Sequence, residues 1–145
     1  MKIKTKHFGE IEIDSKTTLI FEDGLFGFED EKEFALLPFS NDESFLLSLQ
    51  SVKNPYLAFT VVNPFMLLKD YKPVLSDEDL KYMKVNRSED LCFYNMCRIQ
   101  KPVSDSTINL RCPIVINDQT RNAKQVILDN YDMRFSLSKL EKKEL

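Results

Sequence analysis

The chain has 145 residues, 43% of them hydrophobic and 30% charged, with a formal net charge of −3 at pH 7. That length suits a single domain with a sizeable core, no stretch stays apolar long enough to span a membrane as a helix, and the acidic balance disfavours binding that depends on neutralising phosphates. Three cysteines in no regular framework, with a single histidine, argue against a secreted disulfide scaffold.

The first fourteen residues, MKIKTKHFGEIEID, alternate polar and apolar and lack the apolar run of a signal peptide. They read as a hairpin over 2–14 turning near Gly9, in a protein expected in the cytosol. TTLIF (17–21) is a short β-branched and aromatic run. It leads into GLFGFED (24–30), which holds two of the chain's three glycines. Glycine reaches positive φ without steric cost, so the chain is expected to turn twice here. Leu25 and Phe28 are expected to point inward. In the alternative, Phe26 or Phe28 stays outside as an apolar anchor.

The segment is not a phosphate loop, because it lacks the lysine and hydroxyl and carries acids where an anion would sit. Those acids are Glu22, Asp23, Glu29, Asp30, Glu31 and Glu33, with Lys32 alone against them. They are a solvated face or a docking surface for a basic partner.

Three apolar runs follow, EFALLPF, FLLSLQSV and LAFTVV, separated by turns at 41–44 and 53–55. NPFMLLKDY (63–71) gathers large apolar groups around an Asn-Pro turn. SDEDLKYM gives the helix signal. Ser76 is its N-cap and Asp79 stands at the capping-box position, with Leu75 and Leu80 as a staple. LCFYNMCRI, TINL, PIVIN and AKQVILD read as strands, with a hairpin turn at 118–122, and YDMRFSL as one more. Residues 138–145 form a polar tail.

Cys92 and Cys97 are an odd number of positions apart, which puts them on opposite faces of a strand. Their spacing is therefore not that of a metal pair, and no metal or other cofactor is expected. No catalytic constellation accompanies His7. About ten short strands and one short helix give an all-β, mainly antiparallel fold, a small closed or partly open β-barrel in a single domain over 1–145.

FGEIEID and FEDGLFGFED, LQSVKNPYLAFTVVNPF (49–65), INLRCPIVIN (108–117) and AKQVILD (123–129) occur in an order and spacing that resemble the FliW family of bacterial flagellar assembly factors. Gly24, Leu25, Gly27, Phe28 and Glu29 match that family's glycine segment, with Phe26 where a proline is usual. The resemblance implies a non-enzymatic regulator. Such a protein binds CsrA, an RNA-binding translational repressor, and also binds flagellin, so that the two partners compete for it. An acidic face suits a partner that must itself carry basic patches. The partner-binding candidates are Phe26, Glu29, Asp30 and Glu31 on the glycine segment, and Phe65, Leu68 and Tyr71 after the Asn-Pro turn. A small β-barrel RNA binder is the alternative reading.

Overall fold

The computed structural model describes residues 1–39 and 46–139. Among these, eleven strands and one α-helix form, in chain order: β1 (Lys2–Thr5), β2 (Gly9–Glu12), β3 (Leu19–Phe21), β4 (Glu33–Pro38), β5 (Leu46–Ser51), β6 (Ala58–Val62), α1 (Asp77–Tyr82), β7 (Cys92–Arg98), β8 (Thr107–Ile108), β9 (Ile114–Ile116), β10 (Asn122–Gln125) and β11 (Phe135–Ser136). β1 and β2 form a separate hairpin. β3 to β7 follow one another antiparallel, and β10 joins β3 to β9. A further pairing of β7 with β9 closes the seven strands β7-β6-β5-β4-β3-β10-β9 into a barrel. Closure removes free sheet edges. The expected barrel is thus closed, and β8 and β11 extend from it beside β7.

Three expected strands shorten. TTLIF starts at Leu19, because Asp14 caps a single 3₁₀ turn over Ser15–Thr17, its carboxylate accepting from the Lys16 N–H at 2.9 Å. AKQVILD leaves the ladder after Gln125. Its partner strand begins beyond Pro113, which has no N–H to donate, so Val126 and Leu128 only donate outward to the Pro113 and Arg111 carbonyls. YDMRFSL contracts to Phe135–Ser136. The pairing of β10 with β3 is parallel, the one such ladder among the described residues. The turn expected at 41–44, and the tail beyond Lys139, lie outside the described residues.

Strand alternation divides the apolar residues between two cores. Leu19, Phe21, Leu25, Phe34, Leu49, Val61, Ile114 and Ile116 pack together in one. Val62, Leu67, Tyr71, Leu75, Met83, Leu91, Phe93 and Val115 pack in the other, beneath α1 and the long connections. Val61 and Val62, or Ile114 and Val115, are chain neighbours that fall into different cores, as period-2 geometry requires. Each large side chain buried this way contributes about 1.5–3 kcal/mol.

The second core contains a polar knot. The Tyr71 hydroxyl donates to the Leu110 carbonyl at 2.7 Å, and the buried Asn95 amide donates to that hydroxyl at 3.3 Å and to the Asn109 carbonyl at 2.7 Å. Burial, partly offset by the Asn95 hydrogen bond, pushes the Tyr71 phenol up to about 12. A second buried amide, Gln50, organises the β5–β6 turn. Its Nε2 donates to carbonyls of Ser51, Asn54 and Leu57 at 3.0–3.2 Å, and its Oε1 accepts from the Lys6 N–H of the N-terminal hairpin at 2.9 Å.

Helix α1 is short enough to depend on its ends. The Ser76 hydroxyl accepts from the Asp79 N–H, as expected of the cap. The Asp79 carboxylate, placed in the capping box from sequence, instead accepts from Lys124 of β10 at 2.8 Å. At the C-terminus the Val85 N–H donates to Leu80 O and the Lys84 N–H to Lys81 O, both at 3.1 Å. This is a Schellman motif, with Lys84 at φ +60° in the left-handed position that favours glycine. Asn117 closes the neighbouring β9–β10 turn by accepting from Gln119 and Thr120, while its amide donates to the Met83 carbonyl at 2.9 Å.

Two stability predictions follow from this packing. Lys84→Gly removes a left-handed side chain that makes no hydrogen bond among the described residues. It should stabilise by up to about 1 kcal/mol, seen as a higher Tm. Arg121, also left-handed at φ +63°, donates to Asp118 and to the Thr17 carbonyl, so Arg121→Gly should lower Tm. The second prediction concerns pH. An acid whose folded pKa lies above its unfolded value holds more protons folded than unfolded, so its stabilisation is complete below the unfolded pKa and is lost as pH rises through the folded one. Denaturant titrations should therefore show stability falling between pH 10.0 and about 12. Tyr71→Phe should flatten that fall and cost about 1–2 kcal/mol at neutral pH.

Candidate functional site

The glycine segment becomes two successive turns at the mouth of the barrel, the first closed by the Gly24 N–H donating to Phe21 O at 2.9 Å. Leu25 and Phe28 bridge each other through paired backbone hydrogen bonds, Leu25 N–H to Phe28 O at 3.3 Å and Phe28 N–H to Leu25 O at 2.8 Å. Gly27, at φ +85°, is the third residue of that four-residue turn, and Phe26 precedes it with φ below zero. This is type II geometry, which needs glycine at its third position and favours proline at its second. Phe26 occupies that second position here. Gly24 serves a different purpose. It sits at φ +67°, and a Cβ there would stand 2.5 Å from the Glu29 carbonyl oxygen, so no other residue fits without moving the backbone.

Leu25 is buried in the barrel core, as expected. The expectation for Phe28 is corrected: it is exposed at the mouth, with its ring edge-on to Phe59 at 5.3 Å. Phe26 is 51% exposed. Its N–H donates to Gln125 Oε1 of β10 at 2.9 Å, which ties the turn to a strand 99 positions away. Glu29 reaches back to accept from the Gly27 N–H at 2.6 Å.

The acids separate by role. Glu31 accepts from Ser51 Oγ at 2.8 Å and Glu33 from Thr18 Oγ1 at 2.7 Å, so both brace the barrel. Glu22 accepts from the Tyr82 hydroxyl at 3.1 Å. Burial, the hydrogen bond to Glu22 and the charges of Asp23 and Glu22 together push the Tyr82 phenol up to about 12. Asp23 and Asp30 are exposed, and among the described residues nothing donates to their side chains.

Strand direction shows what else lies at this mouth. β3, β5, β7 and β10 end here, while β4 and β6 begin here. Phe26, Phe28, Tyr56, Ile99 and Ile127 all follow or precede those ends, and all are exposed large apolar residues. Sequence reading did not single out Tyr56, Ile99, Ile127 or the anchor Gln125. The Lys53-Asn54-Pro55 turn before Tyr56 was the one available signal.

The second group of candidates lies elsewhere. Residues 64–66 follow β6 at the opposite end from the glycine turn. Asn63 caps this 3₁₀ turn by accepting from the Phe65 N–H at 3.0 Å. Phe65 is 42% exposed and packs at 5.9 Å from the Phe93 and Tyr71 rings. Leu68 is half-buried. Tyr71, expected as a partly exposed anchor, is 4% exposed, because its hydroxyl is satisfied internally and its ring stacks edge-on with Tyr131 at 4.7 Å. It forms the wall between two clefts. One, of about 400 Å³, includes Phe65, Pro73, Val74 and Phe93. The other, of about 250 Å³, includes Leu68, Leu110, Tyr131 and Phe135. The structure thus holds the two sets of candidates apart. No helix among the described residues is long and apolar enough to cross a membrane.

Comparison with known proteins agrees with this architecture along nearly its whole length. The model of the family described as FliW protein matches residues 2–138. A flagellar assembly factor FliW from Geobacillus sp. (strain WCH70) is 42% identical over 130 residues, covering 90% of this chain and 89% of the relative. One from Ruminiclostridium cellulolyticum is 36% identical over 148 residues, covering both chains fully. A solved structure described as the crystal structure of the flagellar assembly factor FliW superposes with a TM-score of 0.87 at 39% identity, covering 94% of this chain and 96% of that one. With the family model matched over residues 2–138 and relatives about 40% identical over nearly the whole length, the chain belongs to the FliW family.

Proposed function

We propose that this protein is a cytoplasmic flagellar assembly factor that acts by binding, without catalysis, and that its partners are CsrA and flagellin. The observation that carries the reading is the acid-flanked aromatic turn: Phe26 stands out from a rigid type II turn with Glu22, Asp23, Glu29 and Asp30 exposed around it. A preorganised aromatic anchor within a charged rim is the anatomy of a protein-binding hot spot. The charge suits CsrA, an RNA binder whose surface must carry basic patches.

Carboxylates held beside the RNA-binding groove of CsrA would repel phosphates without filling that groove. Flagellin then acts by mass action. Whichever partner is present above its dissociation constant takes the regulator, so accumulating flagellin frees CsrA to repress translation.

Titration calorimetry against CsrA and flagellin, singly and in sequence, tests the reading. Both partners should bind, and flagellin should displace CsrA. Heat from neither partner would overturn the proposal. Phe26→Ala should weaken CsrA binding about tenfold. The double variant Glu29→Gln, Asp30→Asn should weaken it about fivefold at low salt and flatten its salt dependence. Glu31 is left unchanged in these variants because it braces Ser51.

A further inference from the structure

The N-terminal hairpin and the β5–β6 turn enclose a cleft of about 400 Å³, lined by Lys4, Thr5, Lys6, Glu10, Pro55 and Tyr56. We infer that this cleft binds an extended, acidic peptide segment of a protein partner, with Tyr56 as its stacking platform. The inference stands on the geometry of the cleft and does not depend on which partners the acidic turn takes.

Three observations carry it. First, Tyr56 is 85% exposed, the most exposed of the large apolar side chains described. Its backbone is fixed, since its N–H donates to Asn54 Oδ1 at 3.0 Å and the turn around it is pinned by Gln50. Gln50 is fully buried and bonds at once to the turn carbonyls and to the Lys6 N–H. One side chain therefore fixes both walls of the cleft. A large aromatic ring presented to water from a fixed stretch of backbone is a binding feature.

Second, the cations are free. Lys2 and Lys4 on β1, and Lys6 in the turn that follows it, are all exposed, and among the described residues none of their ammonium groups has a carboxylate partner. Glu10 faces Lys4 across the ladder, yet no ion pair forms between them. Lys53 adds a further exposed cation in the turn itself. The cleft lining thus carries two unpaired lysines against one glutamate, on a chain of net charge −3.

Third, the spacing selects the ligand. Alternate residues of a strand stand about 6.8 Å apart. An extended peptide repeats its own same-face side chains at that distance, so acids at alternate positions register with Lys2 and Lys4, the two lysines of β1. A polynucleotide would carry charge at every step past Glu10 and Glu12, which oppose it. A peptide with neutral residues between its acids avoids that conflict.

The test uses the intact protein and a fluorescein-labelled peptide, ETEYETE, followed by fluorescence anisotropy at low salt. The charge-inverted peptide KTKYKTK and a uridine decamer serve as comparisons. ETEYETE should saturate and KTKYKTK should not. Tyr56→Ala, and separately the double variant Lys4→Gln, Lys6→Gln, should each weaken ETEYETE binding about fivefold to tenfold. Glu29→Gln, Asp30→Asn should not weaken it. The altered side chains are exposed, and unchanged thermal melting would confirm that the variants are folded. Absence of saturation, binding indifferent to those variants, or tighter binding of the uridine decamer would overturn the assignment. So would a concentration-dependent dimer that the peptide dissolves, because the cleft would then be a contact with a second copy.

Discussion

β7 is the strand on which the barrel depends, because it changes neighbours along one short length. Its first three residues pair with β9, its middle with β6 and its last two with β8. Asn95 sits within this handover, fully buried, and its amide bonds to the Asn109 carbonyl in the segment between β8 and β9. The same amide bonds to Tyr71, which reaches Leu110. A polar network of this kind satisfies backbone groups that an interrupted ladder leaves behind. It also fastens the long connection carrying α1 to the barrel wall. The second core, the two clefts beside Tyr71 and the position of α1 all follow from that fastening.

Strand direction then distributes the surfaces. Every second connection falls at the same mouth, so the glycine turn, the Tyr56 turn and the exposed Ile99 and Ile127 gather there without being near in sequence. Phe65 is carried to the other end by the length of one strand. The mouth itself is electrostatically divided. Acids rim the glycine turn, Lys4 and Lys6 outnumber Glu10 at the Tyr56 cleft, and Glu31 is hydrogen-bonded to Ser51 at the end of β5.

Local chemistry was legible in the sequence, and distant pairing was not. The start of α1 could be read because Ser76 and the acids after it act within one turn. Its end could not, because Lys84 occupies a position that usually announces itself as glycine. Gly24 and Gly27 marked their turn correctly, since positive φ is a property of the residue itself. Whether Phe28 is covered depends on how far Phe59 extends across the mouth, which no local pattern encodes. Tyr71 misleads for the same reason. Its burial is set by Asn95 and Leu110, 24 and 39 positions away, and a tyrosine after an Asn-Pro turn looks the same whether it faces water or core. The parallel ladder of β3 with β10 joins residues about a hundred positions apart. The order of motifs was nonetheless enough to suggest the family, because a shared order of four blocks is a property of the whole chain.

The bond from Phe26 to Gln125 also bears on the order of synthesis. During translation the N-terminal part of a chain emerges first and folds as far as it can. β3 and the glycine turn are then available early, but the strand that closes the barrel beside them is made near the end. Until Gln125 arrives, Phe26 lacks its only tether to a distant strand among the described residues. A nascent or truncated chain would thus hold Phe26 on a looser turn, whose ordering has still to overcome its conformational entropy. The glycine turn therefore matures only when the barrel closes, although its residues are among the first to be made.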